Sequence, residues 1–195
     1  MNKLHVVVVA YHRPIALRML IDCFLLQTYQ DWIMTIFHDG PAPQSVKDVI
    51  AGYNDPRIIF LDSATESGNH GYYIRKGVLK ILKASEDDFI LNTNDDNYYV
   101  PRFIELMMRE ITPETGIVFC DTVHSHQEYN LQVSELKVSG IDLGAFIVRM
   151  PLAKEVGFTH DTYAFDGYYA EDCLSAAISK GLRAVHVRKP LFIHN

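Results

Sequence analysis

A chain of 195 residues is long enough for one domain with a buried core and short for two. With 48% hydrophobic and 22% charged residues it has the balance of a globular protein, which argues against a disordered chain. A net charge of −6 argues against an electrostatic grip on nucleic acid, and no apolar run approaches the ~20 residues of a membrane helix.

The first hundred residues alternate between two periodicities. LHVVVVA (4–10) is a continuous β-branched run, as expected of a strand covered on both faces. The run is short, lacks a small-residue cleavage site and stops at a polar loop, so it reads as a first strand and not as a leader peptide. Pro14 then suits the first turn of a helix carrying Leu17, Leu20, Ile21 and Phe24 at helical spacing. WIMTIF (32–37) predicts a second strand, 44–52 a short helix, and RIIFL (57–61) a third strand. After the polar loop DSATESGNHG, residues Ile74, Val78, Ile81 and Leu82 mark a helix, and DFILN (88–92) predicts a fourth strand. Alternation of this kind predicts a parallel sheet between helix layers.

The second half is less regular. Ile104, Met107, Met108 and Ile111 line a helix, with the two methionines as core, and GIVFCDTV predicts a strand. Residues 123–140 read as an extended or hairpin segment. GAFIVRM predicts another strand, EDCLSAAISKGL a helix ended by Gly181, and RAVHV and LFIHN close the chain. Without a repeat or linker, one domain over 1–195 is expected. The three cysteines, Cys23, Cys120 and Cys173, lie far apart in apolar segments, as expected of reduced thiols in a cytoplasmic protein.

Ligands of open parallel sheets bind at the carboxyl ends of the strands. On this chain those ends carry Tyr11, His12 and Arg13; His38, Asp39 and Gly40; Asp62 and its loop to Gly71; and Asn94, Asp95 and Asp96. The adjacent carboxylates Asp95 and Asp96 repel one another unless a cation shares them, and hard oxygens suit Mg²⁺ or Mn²⁺. No Walker or GxGxxG sequence offers another phosphate grip. Read as a turn, the same NDDN needs no ligand, since Asn and Asp favour turns. His124-Ser-His126 has the spacing of a metal pair on a strand. Without a nearby Cys or third ligand it reads as a solvated hairpin. Tyr163, Tyr168 and Tyr169 could stack on a sugar or pack in the core, and the sequence leaves both open.

Five segments in order, VVVVAYHRP, LIDCFLLQTYQDWIMTIFHDG, NDDNYYVP, GAFIVRMPLAKEVGF and AEDCLSAAISKGLRAVHV, resemble the family 2 glycosyltransferases. The resemblance implies a GT-A fold: a Rossmann-like three-layer α/β sandwich with a mostly parallel central sheet and a small mixed C-terminal part. It implies a nucleotide-binding half (1–100) and an acceptor and catalytic half (101–195). The implied activity is inverting transfer from a nucleotide-diphosphate sugar, UDP-sugar favoured, to a hydroxyl of a glycan or other acceptor, with Mn²⁺ or Mg²⁺.

Carried over residue by residue, Ala10, Tyr11 and Asp39 would hold the base, and Arg13, His70 and Arg75 would lie near the nucleotide. The acidic motif begins at Asn94, so the ribose falls to Asn94 or Asp95. Asp96 and His194 would hold the metal, Asp172 would be the general base, and Glu171 would orient it or touch acceptor. Relatives often continue beyond this point, so further domains of a longer protein are expected partners. Two rival readings are a non-catalytic nucleotide-sugar or glycan-binding module and a metal-dependent nucleotidyltransferase.

Overall fold

The computed structural model describes residues 2–195. It is an α/β sandwich around one mixed sheet ordered β3-β2-β1-β4-β8-β6-β9-β5, with β7 paired to β6. The strands are β1 (Leu4–Ala10), β2 (Trp32–His38), β3 (Ile58–Asp62), β4 (Phe89–Asn94), β5 (Tyr98–Tyr99), β6 (Thr115–His124), β7 (Asn130–Gln132), β8 (Phe146–Arg149) and β9 (Arg183–His194). The helices are α1 (Pro14–Leu25), α2 (Gln44–Ala51), α3 (Tyr72–Ile81), α4 (Phe103–Met108), α5 (Met150–Val156) and α6 (Phe165–Ser179).

Every residue of β1 is buried, because β1 lies between β2 and β4 with helices over both faces. The alternation in the first half therefore builds what it predicts, with β3, β2, β1 and β4 all parallel. The chain lays β2 and β3 on one side of β1, then crosses to put β4 on the other. The strand order thus reverses between β1 and β4, and such switch points open a crevice at the carboxyl ends. Register puts Val9 opposite Asn94, so the loops after β1 and β4 emerge together.

Beyond β4 the sheet turns mixed. β8 runs antiparallel to both β4 and β6, while β6 and β9 are parallel. RAVHV and LFIHN are parts of the single strand β9, which bulges opposite Cys120–Thr122 and continues past Pro190. Residues 123–140 form the end of β6, a hairpin to β7 and a loop. Helix α6 starts at Phe165, before the EDCL segment that marks it in sequence, and Gly181 follows it with φ of 70°. Two elements lack a sequence signal: β5 is only a two-residue strand, and α5 opens directly from β8 with Pro151 in its first turn. Met107 and Met108 are core, as expected. No helix among the described residues is long and apolar enough to cross a membrane.

Candidate active site

A cavity of ≈ 670 Å³ opens at the switch point, within the size range of small-ligand sites. Its lining joins Tyr11, His12 and Arg13 after β1, Asp39 after β2, Glu66, Gly68, His70 and Gly71 from the loop after β3, and Asn94 at the end of β4. Members of all four strand-end sets expected from sequence therefore meet, although His38, Gly40, Asp62, Asp95 and Asp96 do not line this cavity. A second cavity of ≈ 280 Å³ shares His70 and Asn94 with it and adds Asp142, Tyr163, Asp166 and His194.

The loop after β3 is held by Asp39. Its Oδ1 accepts from Ser67 N (2.6 Å) and Ser67 Oγ (2.8 Å), and its Oδ2 from Gly68 N (2.9 Å). This nearly buried carboxylate both lines the cavity and fixes its wall. From Gly68 to Gly71 four successive residues have positive φ (66°, 50°, 51° and 77°). Left-handed backbone costs a non-glycine residue roughly 1–2 kcal/mol, so Asn69 and His70 are held against a local preference. A Cβ on Gly71 would lie 2.6 Å from Val9 Cγ1 and 2.6 Å from Arg75 Nη1. Gly71→Ala is therefore expected to destabilise the fold by about 1–3 kcal/mol, measurable by urea denaturation.

Arg75 stands behind this turn and does not line either cavity. It is fully buried, donating from Nη1 to His70 O (2.8 Å) and from Nη2 to Thr93 O (3.0 Å) and Asn94 Oδ1 (2.5 Å). Burial lowers its pKa to about 10, so it stays charged at neutral pH. Its place is to brace His70 and Asn94, the two residues common to both cavities. The loop after β1 has its own brace. His12 N donates to His38 Nε2 (3.3 Å), which leaves His38 Nδ1–H to donate to Gly40 O (2.9 Å). Tyr11 stays half-exposed, its ring against those of His12 and His38. Ala10 is buried at the end of β1 and accepts from Asp39 N (3.0 Å).

Asp95 and Asp96 form the turn between β4 and β5. Asp95 is fully buried; its Oδ2 accepts from Tyr11 N at 2.8 Å. Its Oδ1 pairs with Arg13 Nη2 at 2.5 Å. Asp96 pairs with Arg13 Nη1. Burial pushes the Asp95 pKa up to about 6, against the pull of Arg13 and the Tyr11 N–H, and Asp96 adds to the rise. The fold therefore loses stability as pH rises from the ordinary carboxylate value of 3.8 to about 6, where the unfolded chain ionises Asp95 before the folded one does. Two adjacent carboxylates held by one half-exposed arginine form a hard-oxygen donor set that fits Mg²⁺ or Mn²⁺.

The two α6 carboxylates expected from sequence lie elsewhere. Glu171 Oε1 accepts from Val138 N (2.9 Å), tying the loop after β7 to α6. Asp172 Oδ2 accepts from Thr159 Oγ1 (3.1 Å) and lies 3.2 Å from His160 Nε2, and neither residue lines the two cavities. The α6 carboxylate that does line the second cavity is Asp166. Burial raises its pKa, and nearby Asp142 raises it further. Sequence reasoning missed both residues; each sits where a loop enters an element, and that placement was their only signal. Tyr169 is core, stacked on Phe158, whereas exposed Tyr163 lines the second cavity beside His70. Tyr168 stacks on His160.

Residues 5–165 match the family described as glycosyl transferase family 2. The chain belongs to that family. Its fold is shared by TarS of S. aureus, with a TM-score of 0.76 at 15% identity over 99% of this chain and 36% of that one. A shorter TarS, solved with UDP-GlcNAc, matches with a TM-score of 0.75 at 15% identity over 98% of this chain and 58% of that one. The mannosyltransferase PcManGT of Pyrobaculum calidifontis, solved with GDP-Man and Mn²⁺, matches at 0.72 and 15% identity over 98% and 56%. This family 2 chain thus spans between about a third and three fifths of the solved chains it resembles.

Proposed function

We propose that the chain transfers a sugar from a nucleotide diphosphate, UDP favoured, to a hydroxyl of a glycan or related acceptor, with inversion and a divalent metal. The observation that carries this reading is the cavity at the β1/β4 switch point, walled by Tyr11 and Asp39 and ending at Asn94 beside the acidic turn. Relatives solved with UDP and with UDP-GlcNAc support a uridine donor, and the relative solved with GDP-Man and Mn²⁺ supports the metal.

In this reading Tyr11 and the backbone at Ala10 pack against the base, with Asp39 and Arg13 beside it. His70 lies along the donor, and Arg75 acts through His70 and Asn94. Asn94 takes the ribose, being the member of the motif that lines the cavity, while Asp95 is drawn back under Tyr11. Asp96 and His194 hold the metal, which when bound neutralises charge on the departing diphosphate. The acceptor oxygen forms its bond to the anomeric carbon as the bond to diphosphate breaks on the opposite face, and the acceptor proton passes to a carboxylate of α6.

The Glu-Asp motif supports Asp172 as that base, with Glu171 holding the neighbouring loop. Position supports Asp166, whose raised pKa makes it a stronger proton acceptor than an ordinary carboxylate. Three unpaired thiols support a cytoplasmic setting. The direct test is calorimetric titration with UDP, with and without Mn²⁺, followed by assay for UDP release from UDP-sugars. Mn²⁺-dependent binding with turnover supports the reading. Binding without any turnover supports a binding module, and pyrophosphate release from a nucleoside triphosphate supports a nucleotidyltransferase.

A further inference from the structure

The HSH segment that looked like a solvated hairpin in sequence acquires a third histidine in the fold. Parallel pairing of β6 with β9 sets His124 opposite His194, and the single helical turn at Ser125–Gln127 brings His126 over both. One nitrogen from each of the three rings lies within 4.8 Å of the others. The rings meet edge to face, with centroids 4.9, 5.2 and 5.3 Å apart.

Proton accounting makes the cluster more than a coincidence of placement. His124 Nε2 faces Gln132 Oε1, an acceptor, so the ring proton of His124 belongs on Nε2. His194 Nδ1 lies 3.1 Å from His124 Nδ1 and donates its proton there in the metal-free chain, a proton that a bound cation displaces. His194 Nε2 lies 3.4 Å from Asp142 Oδ2, so when a cation takes Nδ1 the ring proton has a carboxylate to face. Ring N–H groups handed outward to a carboxylate and an amide oxygen are the arrangement that orients histidines on a metal. The 3.1 Å separation is also close to the roughly 3.3 Å between ligand nitrogens of a tetrahedral ion with bonds of about 2.0–2.1 Å.

We propose that His124, His126 and His194 form a three-nitrogen site for a borderline divalent cation of the Zn²⁺ and Co²⁺ class, assembled without nucleotide. Imidazole nitrogen selects such ions over Mg²⁺, which prefers the carboxylate oxygens of the acidic turn. The site does not depend on glycosyl transfer; because it takes His194 Nδ1 and leaves Nε2 facing Asp142, it competes for His194 with the metal set proposed for the donor. Occupied, it pins the end of β9 to the end of β6, and so fixes the wall of the second cavity at His194.

The test uses Co²⁺ alone on chelator-treated full chain, read by the visible absorption of tetrahedral Co²⁺ and by calorimetry. One Co²⁺ per chain is expected. His126 is exposed, so His126→Ala should leave folding intact while weakening Co²⁺ at least about tenfold, and His126→Gln should do the same. Asp96→Ala should stay within about twofold of the parent, which separates this site from the one proposed for the diphosphate metal. No uptake by the parent chain, an unchanged affinity in both His126 variants, or loss of Co²⁺ in Asp96→Ala would each overturn the proposal.

Discussion

Asp96→Ala is expected to weaken Mn²⁺-dependent UDP binding by at least about 100-fold while leaving thermal stability almost unchanged. Loss of a group that merely orients a ligand costs about 10–100-fold in metal affinity, and loss of a ligand itself should cost no less. Stability should hold because the ion pair lost is with Arg13, which is half-exposed, and such pairs are worth about 0–1 kcal/mol. Arg13 also keeps its contact with Asp95. Calorimetry with UDP plus Mn²⁺, alongside a melting curve, separates the two effects. An Asp96→Ala protein that still needs Mn²⁺ and binds UDP as tightly as the parent would remove the acidic turn from the metal site.

The second large effect concerns the proton. Asp166→Asn is expected to slow sugar transfer by about 10²–10⁴-fold, the usual contribution of a positioned base, with UDP affinity within about twofold. The amide should also leave the melting temperature unchanged or raised. Burial holds the Asp166 pKa above the ordinary carboxylate value, so its ionisation weakens the fold at neutral pH and a neutral side chain relieves that cost. A slower enzyme that is no less stable cannot be explained by a damaged helix. Asp172→Asn is the paired measurement. If Asp172→Asn alone stops turnover, the Glu-Asp motif names the base, and Asp166 is a wall of the acceptor cavity.

Much of the donor side was legible in the residues because it is local. A run such as VVVVA specifies a strand covered on both faces, a proline after it specifies a helix start, and the polar residues between must lie at the strand end. That logic put Tyr11, Arg13, Asp39 and Asn94 on one rim of the sheet, and all four line the same cavity. It could not separate Arg75 from them, because a buried arginine bracing the turn and one reaching a ligand look alike in sequence. The C-terminal half was less legible for a related reason. Its strands pair across long separations, β6 with β9 and β4 with β8, and no local pattern encodes the partner.

NDDN shows the division well. The sequence alone determined that two carboxylates follow a buried strand, and that their repulsion calls for a cation. Only the tertiary structure decided that Arg13 lies across both, that Asp95 is drawn under the Tyr11 backbone, and that Asn94 is the member facing the cavity. It alone decided, too, that His194 joins His124 and His126. Periodicity acts between neighbours a few residues apart and is written in the chain. Register between distant strands is set by packing the whole sheet, and only there do separated side chains become one site.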